Sequence, residues 1–102
     1  MNRGEVRWAH AGSKRRPVLV LTRSEVIDVR ELVTVAEITT AIRGLAVEVP
    51  LDATEVNLPS ESVINCDGLH TVRRASLGEC VGELGETTMG SVCRTIAYAL
   101  SC

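Results

Sequence analysis

Apolar and polar residues alternate from Glu5 to Ala9, with Val6 and Trp8 on one side of the chain and Glu5 and Arg7 on the other. This alternation predicts a half-buried first strand. At Val18–Leu21 it gives way to an unbroken, β-branched apolar run that predicts a buried second strand. Between them, His10–Arg15, containing Gly12 and Ser13, predicts a short loop. Pro17 fits the first position of the second strand, where its missing N–H is harmless, and it biases Arg16 toward an extended backbone. Ser24–Leu32 is expected to be irregular or briefly helical, with Ser24 as its cap. Val33–Thr40, rich in β-branched residues, predicts a central strand, and Arg43-Gly44 turns the chain into Leu45–Val49, which Pro50 ends. Asp52–Ser60 is a polar loop containing Asn57 and Pro59. Ser62–Cys66 and His70–Val72 predict two further strands separated by an Asp67-Gly68 turn. Glu79–Leu84 is the last strand, in which Gly82 marks a bend or bulge.

The tail has a different period. Met89, Val92, Cys93, Ile96, Ala97 and Leu100 recur at steps of three and four, the apolar stripe of an amphipathic helix. About six short strands followed by one helix predict a mainly β domain, a small barrel or strongly curved sheet closed on one side by the C-terminal helix. Exposed strand edges on so small a fold favour dimerisation.

Composition narrows the function. A chain of 102 residues fits a single domain spanning 1–102, and 45% hydrophobic with 24% charged residues is ordinary for a globular protein. Trp8 and Tyr98 are the only aromatics, which argues against binding single strands on a platform of stacked rings. The net charge of −2 hides an asymmetry: residues 1–44 carry eight Lys/Arg against five Asp/Glu, and residues 45–102 carry three against eight. A local basic face on an acidic body follows, enough for a few phosphate contacts. Cys66, Cys80, Cys93 and Cys102 form no C-x-x-C pair, so no zinc site is expected, and they read as small buried hydrophobes in a reducing, cytoplasmic setting. No signal segment is recognised at the start, and no apolar run approaches the ~20 residues of a membrane span.

The candidate chemistry gathers at Lys14-Arg15-Arg16-Pro17, at the mouth of the second strand. A guanidinium fixed beside a core strand can hold a phosphate bidentately. The chain has no G-x-S-x-G elbow, no Gly-rich phosphate loop and no H-E-x-x-H, and its carboxylates form no cluster suited to Mg²⁺. His10 and His70 are the only histidines. Any catalysis must therefore lean on arginine, hydroxyls and at most one imidazole. Trp8, alternating with Val6, is expected in the core, and Arg73-Arg74 on a solvated face.

Five blocks in order give a resemblance: Arg3-Gly4-Glu5-Val6-x-Trp8, Arg16-Pro17-Val18-Leu19-Val20-Leu21, Ile38-Thr39-Thr40, Ser62-Val63-Ile64 through Asp67-x-Leu69-x-Thr71, and Leu77-Gly78 with Val81-Gly82-x-Leu84. Together they resemble MazF/PemK-like toxins over nearly the whole chain. The resemblance implies an SH3-like barrel with a C-terminal helix. It also implies a homodimeric, metal-independent endoribonuclease of a toxin–antitoxin pair that cuts single-stranded RNA at short motifs without a cofactor. Carried over by position, Arg16 and Thr39 are the catalytic residues, and Lys14, Arg15, Thr40, Arg43, Asp67 and His70 are the RNA-binding ones. The expected partners are single-stranded RNA and a cognate antitoxin with an acidic, partly disordered tail.

The chain departs from the commoner family pattern in three places. The loop before Arg16 is short, Gly68-Leu69-His70 stands where relatives often carry Gln-Ile-Arg, and Arg7 replaces a frequent aromatic. Exchanging a permanent cation for His70 makes any role there pH-dependent. Two alternatives share the fold: a CcdB-like toxin that poisons gyrase without catalysis, and a degenerate barrel that only binds. Tyr98-Ala99-Leu100-Ser101-Cys102 lacks the terminal aromatic of CcdB-like chains, and the Arg16/Thr39 pair favours the nuclease.

Overall fold

The computed structural model describes residues 1–11 and 14–102. Six strands and two helices follow in the order β1 (Glu5–Ala11), β2 (Lys14–Val20), α1 (Ser24–Ile27), β3 (Leu32–Thr39), β4 (Glu48–Pro50), β5 (Val63–Arg73), β6 (Leu77–Glu83) and α2 (Glu86–Ala99). The strands form one antiparallel sheet in the order β4-β5-β3-β2-β1-β6. The expected mainly β fold with a terminal helix is thus present, but the sheet does not close into a barrel. Among the described residues, the β6 edge meets the segment after β4 through the isolated bridge Val56–Gly82, backed by the Asn57 N–H donating to the Val81 carbonyl at 2.9 Å.

Both faces of the curled sheet are covered, which is why β2 reads as a continuous apolar run. One face carries Val6, Leu19, Leu21, Ala36, Ile38, Ile64 and Cys66 into a core with Leu84, just after β6, and Val92 of α2. The other carries Ala9, Val18, Val20, Val33 and Val35 against Ile27 of α1. Fully burying each such Val or Leu contributes ~1.5–3 kcal/mol. The helix stripe is narrower than its period suggested: Val92 is buried and Met89 and Ile96 pack on the core, while Cys93 and Leu100 are exposed.

Several expected boundaries shift for tertiary reasons. Of the expected loop His10–Arg15, His10 ends up in β1 and Lys14 and Arg15 start β2; Lys14–Arg16 pair with Ala9–Ala11, and Pro17 is the fourth strand residue, opposite Trp8. The loop expected at Gly12 and Ser13 lies outside the described residues. The fourth strand shrinks to Glu48–Pro50. No turn forms at Asp67-Gly68. β5 runs straight through it, and Ala36 faces Leu69 while Glu37 faces Asn65, so Cys66, Asp67 and Gly68 bulge out. The first two amides of the bulge are satisfied there, because Cys66 N–H donates to the Val47 carbonyl at 2.9 Å and Asp67 N–H to Asn65 Oδ1 at 3.1 Å. The last strand begins at Leu77, and its register slips at Val81, beside Gly82.

Burial also corrects two side-chain expectations. Only Cys66 of the four cysteines is buried; Cys80, Cys93 and Cys102 are exposed. Trp8 is half-buried rather than core, its ring 4.8 Å beneath the Arg15 guanidinium carbon. Glu5, by contrast, is a buried carboxylate that accepts from Arg7 Nε at 2.7 Å and from the Asn2 N–H at 2.8 Å. Burial pushes its carboxyl up, but these donors outweigh it and hold it below the ordinary carboxylate range.

Candidate functional site

β2 pairs with β3 only from Val18 to Val20. Beyond Val18 the strands separate, and the proline without an N–H stands at the point of divergence. The wedge between them is an open cavity of about 410 Å³. One wall is Lys14, Arg15, Arg16 and Pro17 of β2; the other is Ile38, Thr39 and Thr40 at the end of β3, with Ser62 at the margin. Four of the residues singled out in the first half of the chain therefore meet Thr39 or line its cavity: Lys14, Arg15, Arg16 and Thr40.

Register assigns their directions. Val18 faces Glu37 across the β2–β3 ladder, so Arg16 alternates to the same face as Glu37 and Thr39. That face is apolar at the end under α1 and polar at the other, where it is open. All three cations are exposed. Arg15 is anchored over Trp8, and none of Lys14, Arg15 or Arg16 forms a salt bridge among the described residues. Thr39 Oγ1 accepts the Ala41 N–H at 3.0 Å, which fixes the hydroxyl and leaves its own hydrogen to donate. No carboxylate lines the cavity among the described residues, and no cluster of His, Cys, Asp or Glu there has metal-binding geometry.

The remaining candidates lie apart from the cavity lining. Arg43 sits in the exposed loop after β3, its backbone N–H donating to Glu48 Oε1 at 3.0 Å. Asp67 is exposed in the β5 bulge. His70 is on β5 opposite Val35, and its Nε2 lies 2.8 Å from Glu37 Oε2. Glu37 escaped the sequence reading, although its place two residues before Thr39 puts it on the same side of the strand. A second cavity of about 430 Å³ is ringed by Arg3, Arg23 and Arg30. Arg3 is already spent on the Leu21 carbonyl and on Cys93 Sγ, and Arg23 stands 4.0 Å from Glu25. No helix is long and apolar enough to cross a membrane among the described residues.

The chain matches, over residues 2–100, the family model described as PemK-like, MazF-like toxin of type II toxin–antitoxin systems. It is 36% identical over 102 residues to the probable endoribonuclease MazF2 of Mycobacterium tuberculosis, covering 100% of both chains. It is 39% identical over 101 residues to the probable endoribonuclease MazF5 of the same organism, covering 98% of this chain and 93% of the relative. Among solved structures it resembles the Mycobacterium tuberculosis toxin MazF-mt6, with a TM-score of 0.88 and 39% identity over 95% of this chain and 96% of that one.

Proposed function

Because the chain belongs to the PemK-like, MazF-like toxins of type II toxin–antitoxin systems, we propose that it is a cytoplasmic endoribonuclease that cuts single-stranded RNA at a short motif without a metal. The observation that carries this reading is the meeting of Arg16 and Thr39 in one open, basic cavity. Attack of a ribose 2′-oxygen on the adjacent phosphorus puts negative charge on the non-bridging oxygens. A guanidinium and a hydroxyl aimed at that charge supply the largest single stabilising effect such a site has. Arginine stays protonated above pH ~12 and is a poor proton acceptor, so Arg16 acts by charge. Lys14, Arg15 and Thr40 hold neighbouring phosphates, and Arg43, Asp67 and His70 extend the RNA track away from the cavity.

Curated relatives named endoribonucleases support the reaction class. The cationic and hydroxyl lining supports a metal-free route. The family's definition by toxin–antitoxin pairs supports an inhibitor whose acidic tail, ordered on binding, occupies the phosphate positions.

Incubation with a long RNA in excess EDTA, followed by mapping of the cut ends, tests the proposal. Cleavage at a recurring motif is expected, leaving 2′,3′-cyclic phosphate and 5′-hydroxyl ends. A folded Arg16→Ala protein should cut ~100–1000-fold more slowly, the loss of one preorganised donor. Uncut RNA, or cutting only with added Mg²⁺, overturns it.

A further inference from the structure

Cleavage by the 2′-oxygen ends on a 5′-oxygen that leaves with negative charge and needs a proton. The cavity between β2 and β3 offers few sources of one among the described residues that line it. Arg16 and Thr39 are engaged with the non-bridging oxygens. Arg15 alternates to the other face of β2, where its guanidinium carbon lies 4.8 Å over the Trp8 ring. Ser62 Oγ already donates its hydrogen to the Ser60 carbonyl at 3.0 Å. The Thr40 hydroxyl is no stronger an acid than the 5′-hydroxyl it would have to make. Neither histidine lines the cavity: His10 stands opposite Arg15 on β1, and His70 opposite Val35, four residues along β3 from Thr39.

Lys14 remains. It lines the same cavity as Arg16 and Thr39. Two residues before Arg16, it alternates to Arg16's face of β2, about 6.5 Å along the strand. Its side chain is exposed, and no carboxylate pairs with it among the described residues. An ammonium is a stronger acid than a guanidinium, and it carries three N–H donors on a flexible four-carbon stem. That stem is about as long as the strand step between the two residues. The ammonium and the Arg16 guanidinium can therefore meet one phosphodiester from two sides.

We propose that Lys14 is the general acid of this protein's RNA cleavage, an inference that rests on the nuclease function above. The 2′-hydroxyl loses its proton to water as the P–O2′ bond forms. Arg16 and Thr39 hold the charge that gathers on the non-bridging oxygens. As the P–O5′ bond breaks, Lys14 Nζ gives a proton to the departing 5′-oxygen, which leaves as a hydroxyl. The neutral amine then takes a proton back from water. The cation that holds the phosphate is thus also the group with a proton to give.

The test compares two RNAs of the mapped cleavage motif under single-turnover conditions, one natural and one with sulfur in place of the leaving 5′-oxygen. A thiolate departs without a proton, so the second RNA needs no general acid. Lys14→Ala should cut the natural RNA ~10²–10⁴-fold more slowly than wild type does, yet cut the sulfur RNA at close to the wild-type rate. Lys14→Arg keeps the charge but not the readily given proton, and should remain slow on the natural RNA alone. Arg16→Ala should be slow on both, because charge still gathers on the non-bridging oxygens. Lys14 is exposed at the open end of the sheet, so these variants should melt at the wild-type temperature. Lys14→Ala equally slow on both RNAs, or either Lys14 variant at full rate on the natural one, overturns the general acid and leaves the nuclease standing. RNA left intact by wild type overturns the nuclease and the general acid with it.

Discussion

Thr39 shows how little a residue's type says about its work until its neighbours are known. A β-branched residue near the end of a strand is ordinary. Here its oxygen already accepts the Ala41 N–H, and its own hydrogen is left to donate. Thr39→Val keeps shape and strand preference but removes the donor. We expect ~100–1000-fold slower cleavage at unchanged thermal stability, with Thr39→Ser restoring most of the rate, measured by single-turnover kinetics. Near-normal cutting by Thr39→Val would remove the hydroxyl from the mechanism. Cys66 makes the opposite point. Burial, with Asp67 and Cys93 nearby, pushes its thiol up to about 11, so this cysteine stays protonated and serves as packing rather than as a nucleophile.

Among the elements, the seam between the sheet edges is the sensitive place. A Cβ on Gly82 would stand 2.8 Å from Val56 Cα and run into the Glu55 carbonyl, both of them backbone. Gly82→Ala should therefore force the 51–62 segment away from β6 and destabilise the fold by ~1–3 kcal/mol, read as a lower denaturant midpoint. An unchanged midpoint would show that the bridge is incidental. Glycine's structural meaning was only half legible in the sequence. Gly82 predicts a bend or bulge, and the register does slip beside it at Val81, but the backbone that crosses it comes from a distant loop. Asp67-Gly68 looked like a turn because local chemistry favours one, whereas Gly68 answers to the carboxylate of Glu37 on another strand. Val18–Leu21 and the existence of α2 are legible because an unbroken apolar run and a three-four spacing are local signals, although the spacing overstates how much of α2 is buried. The cavity was readable only through the family resemblance, since the splaying of β2 from β3 is a property of the sheet. The exposure of Cys80, Cys93 and Cys102 had no local signal at all.

At the scale of the whole molecule, the surface is not finished. Ile42 and Leu45 in the loop after β3, and Tyr98 and Leu100 at the end of α2, are each about half exposed or more. Ala46 and Tyr98 line one shallow cavity, so loop and helix end are neighbours. A homodimer that covers these side chains is expected, and sedimentation at micromolar concentration should give twice the chain's mass. A monomer there would contradict it. The pairing of β1 with both β2 and β6 has a consequence in time. Arg16 and Thr39 leave the ribosome early, but the first strand gains its outer neighbour only when residues 77–83 follow. At ~5–20 residues per second, that delay is roughly 2–9 s. Contacts so distant along the chain form late. A copy still being translated therefore carries its basic cavity on a sheet whose first strand is bare along one side until residues 77–83 arrive.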